Sequence, residues 1–225
     1  SRNANIHTNL GSVYRRIGND KKAAEEYRLA LQLSPQSSEA LNNLGVVYNA
    51  KGLYNQAIDA YQQALRLNPR DARIYCNLGA VYAEKGDYRQ AIALYQEAIK
   101  FDPRYSKAYS NLGAAYNNLK MYDAAITWYR SGLEKAGNDP EMHFYLGVVY
   151  RNKGMNQEAM NQYYEALKLK PSYAEPHLNL SAIYLREKAK EEALWHLKKY
   201  LQLAPNSPRA GDVRKKIAEL KKEQK

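Results

Sequence analysis

Residues 44–61 read LGVVYNAKGLYNQAIDAY. Apolar side chains recur there at helical spacing, stop at Lys51-Gly52, and resume in a second helical run. Alone, such a stretch says helix, turn, helix. The fold is decided by its return every 34 residues. Stepping from Leu44-Gly45 reaches Leu10-Gly11 behind it and Leu78-Gly79, Leu112-Gly113, Leu146-Gly147 and Leu180-Ser181 ahead. Tyr48 returns as Tyr14, Tyr82, Tyr116, Tyr150 and Tyr184. Ala57 returns as Ala23, Ala91, Ala125, Ala159 and Ala193. A period of this length marks an array in which each unit buries its apolar face against its neighbours.

The units are 4–37, 38–71, 72–105, 106–139, 140–173 and 174–207, and position 1 below means the first residue of each. Apolar residues fall at positions 3, 7, 10 and 11, then at 20, 21, 24, 27 and 28. That is one helix face twice over, so each unit is a helix A and a helix B of about 14 residues, roughly 21 Å long. Gly18, Gly52, Gly86 and Gly154 mark the turn, where glycine suits a left-handed cap. Pro35, Pro69, Pro103, Pro171 and Pro205 end helix B. Glycine at position 8 and alanine at 20 and 27 let the two helices approach. The large side chains at 11 and 24 (Tyr27, Tyr61, Tyr95, Tyr129, Tyr163, then Leu197) fill the space beside them.

The Leu-Gly-x-x-Tyr signature, the Ala57, Tyr61, Ala64 spacing and the closing proline resemble the tetratricopeptide repeat family. The resemblance covers residues 4–207. It implies an all-α, right-handed superhelical solenoid of six helix pairs whose A helices line a concave groove. Residues 208–225 read as a C-terminal capping helix and basic tail, with Ser207-Pro208 as N-cap and first turn and Val213, Ile217 and Leu220 as its apolar stripe. Repeat 4 departs from the pattern, carrying Lys120 at the turn, Gly132 at position 27 and Gly137 for proline. A weak helix B and a bend at the 4–5 junction are expected there. The atypical residues of repeat 6 read as capping.

The formal charge is +11 over 225 residues. From Arg186 onward there are 12 Lys/Arg against 6 Asp/Glu, so the excess is concentrated in a solvated tail rather than along a phosphate track. No nucleic-acid partner is expected, and no run of about 18 apolar residues suggests direct membrane insertion. Cys76, the single cysteine, excludes a disulfide framework. The chain begins at Ser1 rather than Met, which reads as an excised or processed piece whose flanks carry any signal, anchor or catalytic domain. The compartment is left open, with a soluble cytoplasmic setting as the expectation. No phosphate loop, nucleophile–base arrangement or metal-ligand spacing stands out. His143 and His177 sit in adjacent repeats without a cysteine or carboxylate cluster to complete a site. No enzyme activity, cofactor or metal is therefore expected.

The groove positions are 2, 5, 6, 9, 12 and 13, which avoid the packed stripe. Position 6 is Asn9, Asn43, Asn77, Asn111 and Asn179, interrupted by Tyr145. An amide donates and accepts, so it can pair with the main chain of an extended peptide of any sequence. The column resembles the asparagine ladder in the repeat region of protein O-linked sugar transferases. Asn on helix A also has a bracing role between neighbouring helices. The remaining groove candidates are Asn42, Arg73, Lys107, Asn117, Val148 and Arg151, with Cys76 beside them. Phe144, Tyr145 and Leu178 would seat an apolar anchor, unless the C-terminal helix folds over them. Tyr75 and Tyr109 are further ligand-facing candidates. The expected function is a scaffold that binds a peptide segment, extended or helical, of a partner protein. The alternatives are the substrate-recruiting arm of a larger enzyme, such as a glycosyltransferase, and a self-associating structural scaffold.

Overall fold

The computed structural model describes residues 2–222. Among them are thirteen α-helices and no strand. The chain divides into two compact units, one ending at Leu119 and one starting at Lys120. The first holds α1 (Arg2–Arg16), α2 (Asp20–Leu33), α3 (Ser38–Ala50), α4 (Tyr54–Leu67), α5 (Ala72–Glu84), α6 (Tyr88–Phe101) and α7 (Ser106–Asn118). The second holds α8 (Tyr122–Lys135), α9 (Pro140–Asn152), α10 (Asn156–Leu169), α11 (Ala174–Arg186), α12 (Lys190–Leu203) and α13 (Ala210–Lys222). Within each unit every helix packs on the next in sequence.

Helix starts follow the local chemistry. Asn19, Ser37, Asp71, Asp87 and Asp139 each accept a backbone N–H of the first turn that follows. The A-to-B turns close with the expected glycines at φ of +78° (Gly18), +71° (Gly52), +82° (Gly86) and +87° (Gly154). The residue after the glycine then donates back to the tyrosine carbonyl five residues earlier, as in Leu53 N to Tyr48 O at 2.9 Å. Lys120 and Lys188 hold the same conformation at φ of 59° and 60°, at a steric cost that glycine avoids.

The core is a register of small against large. The six alanines at position 20 are fully buried. A Cβ placed on Gly45 would lie 2.7 Å from a ring carbon of Tyr61, on Gly79 2.7 Å from Tyr95, and on Gly147 2.6 Å from Tyr163. The glycine therefore makes the room that the buried position-24 tyrosine occupies. Repeat 6 changes both partners: Ser181 and Leu197 replace Gly and Tyr, and both are buried. The smaller leucine leaves space for the serine Cβ.

One expectation is modified, the start of the last helix, and one is narrowed. No break interrupts α8 at Gly132, which is buried where the other repeats have alanine or tyrosine, and α8 packs on α9. Gly137, at φ +108°, ends that segment before Asp139 caps α9. The last helix starts at Ala210, two residues beyond the expected Pro208. Ser207 does not cap it with its side chain, because its Oγ accepts a 2.9 Å bond from the Tyr200 hydroxyl. Residues 223–225 of the expected tail lie outside the described residues.

Candidate functional site

In the first unit the A helices α1, α3, α5 and α7 touch in succession, forming a continuous row. The position-6 amides lie along it. Asn9 is exposed, and Asn43, Asn77 and Asn111 are half-buried. Their side chains tie one repeat to the next. Asn77 Nδ2 donates to Asn42 Oδ1 at 3.0 Å, and Asn42 Nδ2 lies 3.4 Å from Asn43 Oδ1. Asn111 Nδ2 points to Cys76 Sγ at 3.4 Å. In the second unit Asn179 Nδ2 donates to the Glu175 carbonyl at 3.2 Å while its Oδ1 accepts from Arg151. Bracing of neighbouring helices is thus part of what these residues do. Each brace uses part of an amide. The carbonyl oxygens of Asn77 and Asn111 and the Asn43 NH2 group are not among the buried unpartnered atoms, so they keep access to solvent.

Several expected groove residues are placed elsewhere. Cys76 is fully buried, and desolvation pushes its thiol up to about 11, which makes it unreactive at neutral pH. Thr8, at groove position 5 of the first repeat, is buried with its hydroxyl donated to the Ala4 carbonyl at 3.1 Å. In repeats 1 and 3 position 5 therefore lies between helices rather than on an open face, while Asn42, Phe144 and Leu178 at the same position are half-buried. Tyr75 and Tyr109 turn back to the preceding loop, donating to the carbonyls of Pro69 (3.3 Å) and Pro103 (3.1 Å). Arg73 is held by Asp71 through Nη2 to Oδ2 at 2.7 Å and Nε to Oδ1 at 3.1 Å. That bond holds the Asp71 carboxyl below its usual range. Lys107 is exposed, and Asn117 and Val148 are half-buried.

The apolar seat expected from Phe144, Tyr145 and Leu178 does not form as one pocket. Phe144 packs its ring on Tyr145 and Tyr173, each at a centroid distance of 5.2 Å, and the three line a cavity of about 500 Å³. Leu178 lines a different cavity of about 460 Å³ with Arg151, Asn179, Leu185, Arg209 and the α13 residues Asp212 and Lys216. The cause is α13. Val213 and Leu220 are buried against Leu197 and Tyr200, and Leu178 and Leu185 pack on the same cluster. The covering helix is the outcome at Leu178 and Leu185, and it brings Asp212 and Lys216 to the cavity, with Arg209 just ahead of its first residue.

Some polar groups escaped the sequence reading. The position-24 tyrosines look like pure core, yet the Tyr27 hydroxyl meets Ser12 Oγ on α1 at 3.1 Å. The Tyr163 hydroxyl is buried without a partner, and burial raises it to about 12, opposed by the Arg151 charge. The signal was the glycine at position 8, over which each ring extends. Positions 4 and 23 also pair across a repeat. His7 Nδ1 lies 2.6 Å from Glu26, His143 Nδ1 2.7 Å from Gln162, and His177 Nδ1 2.8 Å from His196 Nδ1. His143 and His177 consequently take separate partners.

Family models described as Tetratricopeptide repeat match residues 2–70, 36–104 and 82–143, and one described as TPR repeat matches 149–188. The chain belongs to the tetratricopeptide repeat family. None of the curated proteins matches the sequence significantly. Solved structures agree on the repeat fold. PilW, described as a widely conserved type IV pilus biogenesis factor, superimposes with a TM-score of 0.82 at 20% identity over 93% of this chain and 97% of PilW. A crystal structure of MamA gives 0.63 at 28% identity, over 74% of this chain and 97% of MamA. The match to the APC/C hetero-tetramer Cut9-Hcn1 has a TM-score of 0.77 at 23% identity and covers 95% of this chain. This chain spans only 42% of that one. The tetratricopeptide solenoid is thus established from both sequence and structure. No helix among the described residues is long and apolar enough to cross a membrane.

Proposed function

We propose that this tetratricopeptide repeat chain is a recognition module, not a catalyst, that binds a peptide segment of another protein along the A helices of its first unit. The observation that supports this is the half-used state of the amides. Their lateral bonds fix the rotamers of Asn77 and Asn111, and each keeps a solvent-accessible carbonyl oxygen. A pre-oriented amide loses little entropy when a peptide main chain pairs with it. Arg15 and Glu84, both exposed on helix A, add charges of either sign beside the row. Among relatives, a structure of YrrB is described as a TPR protein with an unusual peptide-binding site; at 24% identity that likeness extends to the fold alone.

Replacing Asn43, Asn77 and Asn111 together by Ala tests the proposal against a peptide selected from a display library on the intact chain. Affinity by calorimetry should fall by at least about tenfold, one lost backbone bond being worth roughly 1 kcal/mol. The lost braces should lower the melting temperature by no more than about 10 °C. Unchanged affinity would remove the amides from recognition.

A second reading, self-association, is favoured by α1. Ile6 and Val13 of α1, and Ile17 directly after it, are each more than half exposed, and Leu10 completes the stripe. This is the face on which a further helix would pack. Sedimentation across a hundredfold range of concentration should show reversible dimers, and Val13→Asp with Ile17→Asp should abolish them. A strictly monomeric parent chain would discard this reading.

A further inference from the structure

A cavity of about 540 Å³ opens on the B helices α10 and α12, with none of the position-6 amides among its lining residues. Its walls include Leu167, Pro171 and Leu203 together with the aromatic residues Trp195 and Tyr164, whose rings pack on His196 at centroid distances of 4.8 Å and 6.1 Å. Trp195 is 52% exposed and Tyr164 42%, a large aromatic surface for one short stretch of a water-facing helix pair. The floor is made by His177 of α11 and His196 of α12, both buried. Lys168 and Lys199 also line it, Lys168 Nζ lying 3.6 Å from the Glu165 carboxylate and Lys199 Nζ donating to Gln202 Oε1 at 3.2 Å, and no carboxylate is among the lining residues.

The two Nδ1 atoms of the floor are 2.8 Å apart, so one ring donates and the other accepts. The far nitrogens then carry opposite roles, one an acceptor and one an N–H donor. His196 Nε2 lies 3.4 Å from the Tyr164 hydroxyl, which in turn meets the Tyr184 hydroxyl at 2.8 Å. His177 Nε2 makes no hydrogen bond among the described residues, and His177 lines the cavity. An apolar slot with aromatic edges, a ring nitrogen at its base and an ammonium pair in its lining has the size and lining of a small-molecule or side-chain site. Its charge is complementary to an anion.

We propose that this cavity binds an aromatic ring carrying a carboxylate a few bonds away. The ring lies between Trp195 and Tyr164, and the carboxylate pairs with Lys168 and Lys199 above the histidine floor. Both a free aromatic acid and the C-terminal aromatic residue of a polypeptide present this chemistry. The site shares no residue with the amide row and stands or falls independently of it.

Binding is coupled to protons. Burial holds His196 down to about 4 and His177 below its usual value, each lowered further by a neighbour: His177 acts on His196, and Lys199 on His177. Lys168, across the cavity on α10, adds positive charge, and Glu191 and Glu192 on α12 oppose it from the adjoining cavity that His196 also lines. The Tyr164 hydroxyl and the Tyr184 ring face His196. A bound carboxylate favours the imidazolium, so the complex takes up a proton and affinity rises as pH falls from 7.5 to 5.5.

The chain has two tryptophans, so Trp128→Phe leaves Trp195 as sole reporter. The probes are 3-phenylpropionate and acetyl-Gly-Gly-Phe with a free carboxylate, each against its amide. Both acids, or one of them, should change Trp195 emission saturably, with the amides at least about tenfold weaker. Which acid binds more tightly identifies the source. Lys168→Met with Lys199→Met should weaken the acids to the level of the amides, and affinity should be at least about threefold higher at pH 5.5 than at 7.5. Calorimetry on the unsubstituted chain with the same four probes gives the answer if Trp128→Phe perturbs folding. Equal binding of acid and amide, no saturation with either acid at millimolar concentration, or weaker binding at pH 5.5 overturns the proposal.

Discussion

Gly79→Ser destabilises the first unit by about 3 kcal/mol, and Tyr95→Leu in the same chain recovers part of the loss. The geometry dictates the sign. A Cβ on Gly79 falls 2.7 Å from Tyr95 Cε1 and 2.9 Å from Cδ1, well inside contact distance, and the Tyr95 ring is 2% exposed. The ring cannot swing into solvent, so the helices must part. Helix propensity works the other way, since glycine is the poorer helix former by a few tenths of a kcal/mol against serine, but overpacking a full core is the larger effect. Tyr95→Leu alone also costs about 2 kcal/mol, because it leaves a hole. The double substitution recreates the Ser181 and Leu197 combination that repeat 6 already uses in buried form. Thermal and urea denaturation of the four chains gives the coupling. A loss in the double variant equal to the sum of the single ones would show that the two positions do not share space.

Val213→Asp with Leu220→Asp detaches α13 and uncovers the apolar wall beneath it. Both side chains are almost fully buried, at 5% and 3% exposed, against Leu197 and Tyr200. Each contributes about 2 kcal/mol by burial, and a carboxylate in its place adds a desolvation penalty. The second unit should lose at least about 4 kcal/mol, bind an apolar dye, and aggregate through Leu178, Leu185 and Leu197. Lys215→Asp, on the exposed face of the same helix, should change stability by less than about 0.5 kcal/mol. A double aspartate variant that melts like the parent, without dye binding, would show that α13 is not a cover.

The fold was legible because its signals are local and repeated. A helix face, a left-handed glycine and a closing proline each operate within one turn of backbone, and six copies in phase remove the ambiguity of any single one. The Gly-to-Tyr packing was legible for the same reason, since both residues recur at a fixed offset. Position 5 shows where this stops. Thr8, Asn42 and Cys76 follow no apolar pattern, so they read as groove residues. In the structure Thr8 and Cys76 are buried and Asn42 accepts a bond from Asn77. Helical phase places a side chain to within about a third of a turn. The difference between an open face and a seam between helices is smaller than that.

The sequence by itself determined the helix pairs, their turns and the small-to-large register of the core, because those depend on residues close along the chain or repeated at one period. Tertiary structure alone decided which side chains meet across 19 or 35 residues: His177 with His196, Asn77 with Asn42, Asn111 with Cys76. It also decided that α13 lies over Leu178 and Leu185. Such encounters are fixed by how far apart and at what angle neighbouring helices settle, and that follows from the packing of every side chain between them.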